Sequence, residues 1–303
     1  MNSSTKDISV AVVIPTYKRP DALASTLESI LRSTKLPDEI VVVDDDITDQ
    51  KMIVDFKEKF ANNNVVFAYY KKDHSQVRRG LSESKNLAPS LTTADIVYFL
   101  DDDVILDSQY IENLHQVWVE NYHDKNLIGV GGRISNNRPT TTAEKAYRTI
   151  FALNGECNWD VNSVGFQVWD ERVDTTEKAY YIHGGVSSYR RELLLQHPFA
   201  VFSGGRTGLE DVEHCLRVKL AGYHFYYVPA AHLTHHPAPA GREASYAAAK
   251  KEGANRKEIY RLHGDKSFLG RLHFFWANIG WLGKKFVIGK WREAAGMVKG
   301  LLT

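Results

Sequence analysis

Apolar positions along the first hundred residues fall into blocks with two different periods. Val10–Ile14 is a continuous β-branched run, the pattern of a parallel strand buried on both faces. After Pro15-Thr16-Tyr17-Lys18-Arg19-Pro20, the residues Leu23, Leu27, Ile30 and Leu31 recur at helical spacing and predict a helix. Pro37-Asp38 turns the chain into a strand, Glu39–Val43, that ends at Asp44-Asp45-Asp46. A helix over Gln50–Phe60 then leads to a third strand, Val65–Tyr70. Ser82–Leu91 reads as a helix, and Asp95–Leu100 as the strand preceding Asp101-Asp102-Asp103. Strands alternating with helices predict an α/β fold, a doubly wound and mostly parallel sheet. Both acidic clusters sit at strand C-terminal ends, the edge along which open α/β sheets bind ligands.

The second half is less regular. Ile128–Gly132 reads as a strand and Thr140–Phe151 as a helix, while Asn154–Tyr180 has no period and predicts loops or a small antiparallel region. Gly184-Gly185 precedes a short strand and helix. Glu210–Ala221 is helical, with Val212, Cys215, Leu216 and Leu220 on one side and Gly222 as its stop. His224–Val228 is a strand leading to His232, His235 and His236. Near the C-terminus, Phe268, Leu272, Phe275, Ile279, Leu282 and Phe286 recur every three to four residues and predict an amphipathic helix.

Composition adds less than charge placement does. The 303 residues, 43% apolar and 25% charged, suit one large core or two modest ones. Residues 266–303 carry seven Lys/Arg against Glu293 alone, a local +6 within a chain of net +1, so the first 265 residues are at −5. A helix that is aromatic on one face and basic beside it can lie on an anionic membrane surface. The alternative is packing against the body or a second subunit, as in a homo-oligomer. No nucleic-acid-binding motif accompanies the charge, so nucleic acid is not an expected partner. Cys157 and Cys215 form neither a disulfide framework nor a metal-ligand spacing, which favours a reducing compartment. Met1–Asp7 is polar, unlike a signal segment, and the longest uncharged apolar stretch, Leu272–Gly283, has 12 residues against the ~20 that span a bilayer. The expected location is cytoplasmic, with the tail either on the inner face of a membrane or packed against protein.

Three consecutive carboxylates at Asp101–Asp103 repel one another unless a cation or hydrogen-bond donors offset them. Mg²⁺ and Mn²⁺ prefer such oxygen ligands and share themselves with a substrate's phosphates. A solvated acidic turn is the plain alternative. Glu210-Asp211 opens a helix just beyond Ser203-Gly204-Gly205, where free N–H groups favour carboxylates whatever their further role. Asp44–Asp46 likewise reads equally well as an Asx turn, and Gly184-Gly185 as a simple turn.

In order, the chain contains Val-Val-Ile-Pro-Thr-Tyr-Lys-Arg (12–19), Glu-Ile-Val-Val-Val-Asp-Asp-Asp (39–46), Ser-Lys-Asn (84–86) and the Asp triplet. Gly-Gly-Val-Ser-Ser-Tyr-Arg-Arg (184–191), Gly-Leu-Glu-Asp-Val-Glu-His-Cys-Leu-Arg (208–217) and the late histidines follow. Each motif alone is weak, but their order and spacing together resemble the family 2 glycosyltransferases of GT-A fold across about residues 8–240. The resemblance implies a GT-A domain over 1–240, with a nucleotide-binding half (about 8–106) and an acceptor half (about 107–240). Residues 241–303 would form a helical, basic-aromatic region. It implies an inverting enzyme that uses a nucleotide-diphosphate sugar, Mn²⁺ or Mg²⁺, and a glycan or lipid-linked acceptor, with a role in bacterial surface polysaccharide synthesis.

Carried over residue by residue, Pro15, Thr16, Tyr17 and Arg19 would line the nucleotide pocket, with Asp45 accepting from the base and Lys85 and Asp102 also on the donor side. Asp103 would coordinate the metal directly, Asp101 would contact metal or ribose, and His235 would complete the sphere with His236 as runner-up. Asp211 would be the general base, Glu210 would orient the acceptor, and Gly184 and Gly185 would admit donor sugar and acceptor. Two motifs depart from the family pattern. Asp46 and Ile47 stand for Gly-Ser, and Lys85 stands where Arg is common, keeping the charge without the forked donors. A nucleotidyltransferase is the enzymatic rival, though no Gly-rich basic loop follows the first strand. A non-catalytic membrane-peripheral protein with a transferase-like fold is the other.

Overall fold

The computed structural model describes residues 8–46, 48–202, 208–237 and 244–303. Strand β1 (Val10–Thr16) leads through helix α1 (Pro20–Leu31) to β2 (Glu39–Asp44), then α2 (Gln50–Ala61), β3 (Val66–Lys71), α3 (Leu81–Leu91) and β4 (Ile96–Leu100). These four strands are parallel in the order β3-β2-β1-β4, with Thr16 opposite Asp44 and Val13 opposite Phe99. Alternation along β1 explains the continuous apolar run. Val10, Val12 and Ile14 pack with α1, α2 and their neighbours on one face, while Val13 joins a second core with Val41, Val97 and Phe99 on the other. All these strand ends therefore emerge at one edge.

Beyond the acidic triplet come β5 (Val104–Leu106), α4 (Tyr110–Asn121), β6 (Leu127–Ile134) and α5 (Thr142–Ile150). A two-stranded hairpin, β7 (Asp160–Val161) and β8 (Gln167–Val168), is followed by β9 (Glu177–Ala179), β10 (Val186–Arg190), α6 (Arg191–Gln196), α7 (Glu210–Leu220) and β11 (His224–His235). The large sheet continues β4-β10-β6-β11-β5, with β9 added to β11. Strand β10 runs antiparallel to both β4 and β6, whereas β11 is parallel to β6. A mixed sheet results, parallel in its first half.

The sequence reading left 104–121 without elements, yet β5 and α4 lie there. Helix α4 carries a normal apolar stripe, Tyr110, Ile111, Leu114, Val117 and Trp118, all buried. Trp118 Nε1 donates to Ser188 Oγ at 2.8 Å and Tyr110 OH to the Val186 carbonyl at 2.7 Å, so α4 backs β10, the strand that follows the glycine pair. β11 is also longer than expected. It continues past a register shift between Val228 and His232, so His235 belongs to a strand rather than to a loop.

The C-terminal part forms α8 (Ser245–His263), α9 (Phe268–Val287) and α10 (Trp291–Leu302). Among the described residues no helix is long and apolar enough to cross a membrane. One face of α9 packs inward: the Trp276 and Phe151 rings stack at 5.1 Å, and Tyr147 OH donates to the Gly280 carbonyl at 2.6 Å. Phe268, Leu269, Leu272 and Phe275 on the other face stay exposed. Carboxylates from outside the tail reduce its apparent charge excess, since Lys284 pairs with Glu144 at 3.3 Å and Lys285 with Glu252 at 3.2 Å. Helices α8 and α10 meet through glycines; a Cβ on Gly296 would lie 2.5 Å from the Tyr246 carbonyl oxygen.

Gly296→Leu should therefore push α10 off α8, costing about 1–3 kcal/mol in a urea melt. Limited proteolysis should cut the variant first within 291–302, while the sheet's melting stays cooperative; unchanged protection of that segment would contradict the packing.

Candidate active site

The exit of β1 and the end of β4 are neighbours in the sheet, and this brings the first loop onto the Asp triplet. Thr16 Oγ1 donates to Asp102 Oδ2 at 2.7 Å, and Arg19 Nη1 donates to Asp102 Oδ1 at 2.9 Å and to Asp103 Oδ2 at 3.2 Å. Asp102 is buried, and its carboxylate is taken up by these protein donors. Asp103 turns its other oxygen to His235, with Oδ1 to Nε2 at 3.0 Å. The pairing of β11 with β5, which sets His235 opposite Val104, makes that contact. His236 gives its backbone N–H to the Asp103 carbonyl and its ring to Thr234, and His232 lies near Asp107; neither ring joins the cluster.

Asp101, Asp103 and His235 each offer a donor atom within 4.8 Å of the others, a set of two carboxylates and an imidazole that suits a hard divalent ion. Asp101 N–H donates to the Gly185 carbonyl at 2.8 Å, and a Cβ on Gly185 would run into the Asp101 carboxylate, so only glycine leaves this cradle open. Burial raises the Asp101 pKa, Lys85 and His235 oppose that shift, and Asp103 and Asp102 reinforce it. Burial likewise raises Asp102, against the hydrogen bond from Thr16 and the charge of Arg19. A neighbouring cation would relieve both.

Across the glycine pair lies a second charged group. Lys85, buried in α3, donates to Glu210 Oε1 at 2.9 Å. Burial works against the Lys85 charge, but Glu210, Asp211 and Asp101 outweigh it and its pKa rises. Glu210 consequently stays ionised, its pKa lowered by Lys85 despite burial. Asp211 is pushed the other way, upward, by burial and by the Glu210 charge. Its Oδ2 accepts from Tyr181 OH and from Gly184 N–H, both at 3.3 Å, and its Oδ1 from Val212 N–H at 2.8 Å. A Cβ on Gly184 would sit 2.8 Å from Asp211 Cβ and 2.9 Å from Lys85 Nζ. The glycine pair thus joins the metal-ligand-like cluster to the acidic helix start. Ser203-Gly204-Gly205, expected beside that helix, lies outside the described residues, as does Ile47.

On the donor side the expected residues are spread out. Pro15 lies in β1 opposite Val43, and half-buried Tyr17 has the Lys18 ammonium 5.3 Å from its ring centre. Asp44 makes the Asx-type turn, accepting from Asp46 N–H at 2.9 Å, and also accepts from Tyr69 OH at 2.8 Å. Asp45 instead pairs with buried Lys72 at 2.5 Å and accepts from Gly80 N–H at 3.0 Å. Sequence reasoning passed over Lys72 and Gly80. It also passed over the shell beside Asp211, where Tyr181 OH lies 3.3 Å from His183 Nδ1 and the Trp159 and Trp169 rings meet the His183 ring at 5.3 and 5.6 Å. The signal there was the aromatic richness of an aperiodic stretch.

Comparison with known proteins bears on the family and the fold. The chain is 25% identical over 234 residues to the glucosyl-dolichyl phosphate glucuronosyltransferase of Haloferax volcanii, covering 75% of this chain and 68% of that protein. It is 30% identical over 125 residues to the poly(ribitol-phosphate) beta-N-acetylglucosaminyltransferase TarP of Staphylococcus aureus, covering 41% of this chain and 36% of the relative. Among solved structures, a mannosyltransferase from Pyrobaculum calidifontis in complex with GDP-Man and Mn²⁺ superposes with a TM-score of 0.58 at 17% identity, covering 97% of this chain and 79% of that one. S. aureus TarS 1–349 gives 0.55 at 16% identity, covering 93% and 73%. These neighbours establish the GT-A fold. The family model for glycosyl transferase family 2 matches residues 11–196, more than half of the chain, and the protein belongs to that family.

Proposed function

We propose that this glycosyltransferase moves a sugar from a nucleotide-diphosphate donor to a glycan or lipid-linked acceptor with inversion, and that it serves bacterial surface polysaccharide synthesis. The observation that carries the reading is the junction at Gly184-Gly185, which has Asp101 of the Asp101, Asp103 and His235 cluster against Gly185, and Lys85 and Asp211, with Glu210 beside them, against Gly184. In this reading about 1–240 form the catalytic unit, with the donor half ending near 106 and the acceptor half following.

Asp101, Asp103 and His235 would hold Mn²⁺ or Mg²⁺, which when bound offsets the negative charge gathering on the departing diphosphate. Thr16 and Arg19 keep Asp102 and Asp103 in place, and Pro15, Tyr17 and Asp45 border the nucleotide. Lys85 holds Glu210 ionised, and Glu210 in turn raises the proton affinity of Asp211. Asp211 takes the proton from the acceptor hydroxyl as that oxygen attacks the anomeric carbon opposite the leaving diphosphate, and this single displacement inverts the centre. Tyr181 and the Gly184 N–H aim the carboxylate. The exposed face of α9, with Arg271 and the other basic side chains of 266–303, would rest on an anionic membrane surface at the inner face of the membrane.

Excess chelator should abolish sugar transfer, and Mn²⁺ or Mg²⁺ should restore it. Asp103→Ala should lose metal-assisted nucleotide-sugar binding in calorimetry; full activity in chelator would refute the metal reading.

Asp211→Asn keeps the size and most hydrogen bonds but cannot accept the proton, so turnover should fall by about 10²–10⁴ with donor affinity nearly unchanged. Because burial and the Glu210 charge raise the Asp211 pKa, wild-type kcat should fall on acidification at a higher pH than an unperturbed aspartate would give. Normal turnover by the variant would move the base to Glu210 or Glu213.

Leu272→Asp with Phe275→Asp alters two exposed positions, so folding should hold while sedimentation with phosphatidylglycerol vesicles drops. Wild-type sedimentation should weaken as salt rises, because screening shortens the reach of surface charge. Equal sedimentation of variant and wild type would leave α9 without a membrane role.

A further inference from the structure

An apolar cavity of about 260 Å³ opens between α5 and the C-terminal end of α9. Tyr147, Leu153, Phe166, Trp281, Val287 and Ile288 line it, and the last two are exposed and continue the apolar surface of the tail. Glu144 and Lys284 line it too, as does Arg148. Its guanidinium lies 5.3 Å from the Trp169 ring centre, and among the described residues no carboxylate pairs with it. Nearby charges are engaged elsewhere: Lys145 with Asp170 at 2.6 Å, and Lys284 with Glu144 at 3.3 Å. Burial lowers the Arg148 pKa, offset only in part by Glu144 and Asp170. A half-buried cation with an aromatic face but no carboxylate in direct contact is incompletely offset, and an anion would relieve it.

Arg148 also borders a second cavity of about 350 Å³, which Trp169 lines as well. From there the rings form a path to the acidic helix start. Trp169 lies 6.2 Å from the Tyr181 ring, and Tyr181 donates to Asp211 at 3.3 Å. Apolar slot, lone cation, aromatic platform and carboxylate therefore follow one another in space.

We propose that the α5–α9 slot takes the hydrocarbon chain of a lipid-phosphate-linked acceptor, with Arg148 on its phosphate and Trp169 beneath the sugar that leads to Asp211. The order matches the molecule: the chain enters from the exposed Val287–Ile288 end, the charged group meets a cation that no carboxylate pairs with among the described residues, and a sugar can stack on an aromatic face. Bulk membrane lipid would need the slot but not the aromatic path, so the acceptor is the occupant the geometry favours. The inference rests on the glycosyltransferase reading for the role of Asp211.

The test is calorimetric titration of the full chain with farnesyl phosphate, farnesol, inorganic phosphate and phosphatidylglycerol vesicles. Farnesyl phosphate should bind saturably, farnesol at least about tenfold more weakly, and inorganic phosphate not measurably. Arg148→Gln and Ile288→Asp should each weaken farnesyl phosphate by about tenfold or more with unchanged melting temperature. Should Arg148→Gln fail to fold, Ile288→Asp decides, since that side chain is 55% exposed. Absence of saturable binding, or wild-type binding by the variants, would overturn the proposal. Equal competition by inorganic phosphate would reduce Arg148 to a free-anion contact, and equal competition by vesicles would make the slot a bulk-lipid contact; either result also overturns it. Hydrolysis of a nucleotide-sugar panel by wild-type protein is read separately: its absence fails the enzymatic reading, while its presence without farnesyl phosphate binding fails only the slot.

Discussion

Like charge concentrated at one sheet edge is the constraint around which the rest of the molecule is arranged. Asp101, Asp102, Asp103, Glu210 and Asp211 converge where β4 ends and α7 begins, and the protein supplies Arg19, Lys85 and His235 against them. The offset is uneven. Asp102 and Glu210 each pair directly with a basic side chain, Arg19 and Lys85, while Asp101 and Asp211 make no such ion pair among the described residues; burial raises the proton affinity of Asp101, Asp102 and Asp211 alike. That unevenness separates carboxylates that hold the frame from carboxylates free to meet a cation or a proton.

Strand β10 makes the arrangement possible. Its antiparallel insertion between β4 and β6 delivers the preceding Gly184-Gly185 to the end of β4, where any larger side chain would strike Asp101, Lys85 or Asp211. Behind it, α4 fixes the strand through Trp118 and Tyr110, which hydrogen-bond to Ser188 and Val186. A buried polar contact of this kind is expensive to leave unmade, so it holds the strand in register as well as in place. Packing on the far side of the strand thereby fixes the backbone that lies between the two charged clusters.

The C-terminal helices show a different balance. Trp276 and Trp281 in α9 donate to the Ile150 carbonyl and to Glu252, which ties one face of the helix to the body, and the close glycine contacts of α10 clamp α8. The opposite face retains Phe268, Leu269 and Phe275 in solvent. These exposed apolar side chains stand beside the basic residues of the same segment.

Much of this was legible in the residues alone. The apolar runs, the helical spacing of Leu23 to Leu31 and the two Asp clusters at strand ends depend on neighbours a few positions away, so period and turn chemistry are enough to read them. The preference for His235 over His236 came from the family resemblance and not from local pattern, because the Asp103–His235 contact turns on the register of β11 against β5, between residues 132 positions apart in the chain. Nor was the pairing of Asp45 with Lys72, or the aromatic shell of Trp159, Trp169 and Tyr181 around His183, legible, since nothing periodic marks side chains that meet only across loops. Sequence by itself determined the parallel half-sheet, its acidic edge and the amphipathic tail, because each follows from local pattern and burial. Tertiary structure alone decided which carboxylates find a cation and which do not, because that depends on distances of a few ångströms between segments that the order of residues leaves far apart.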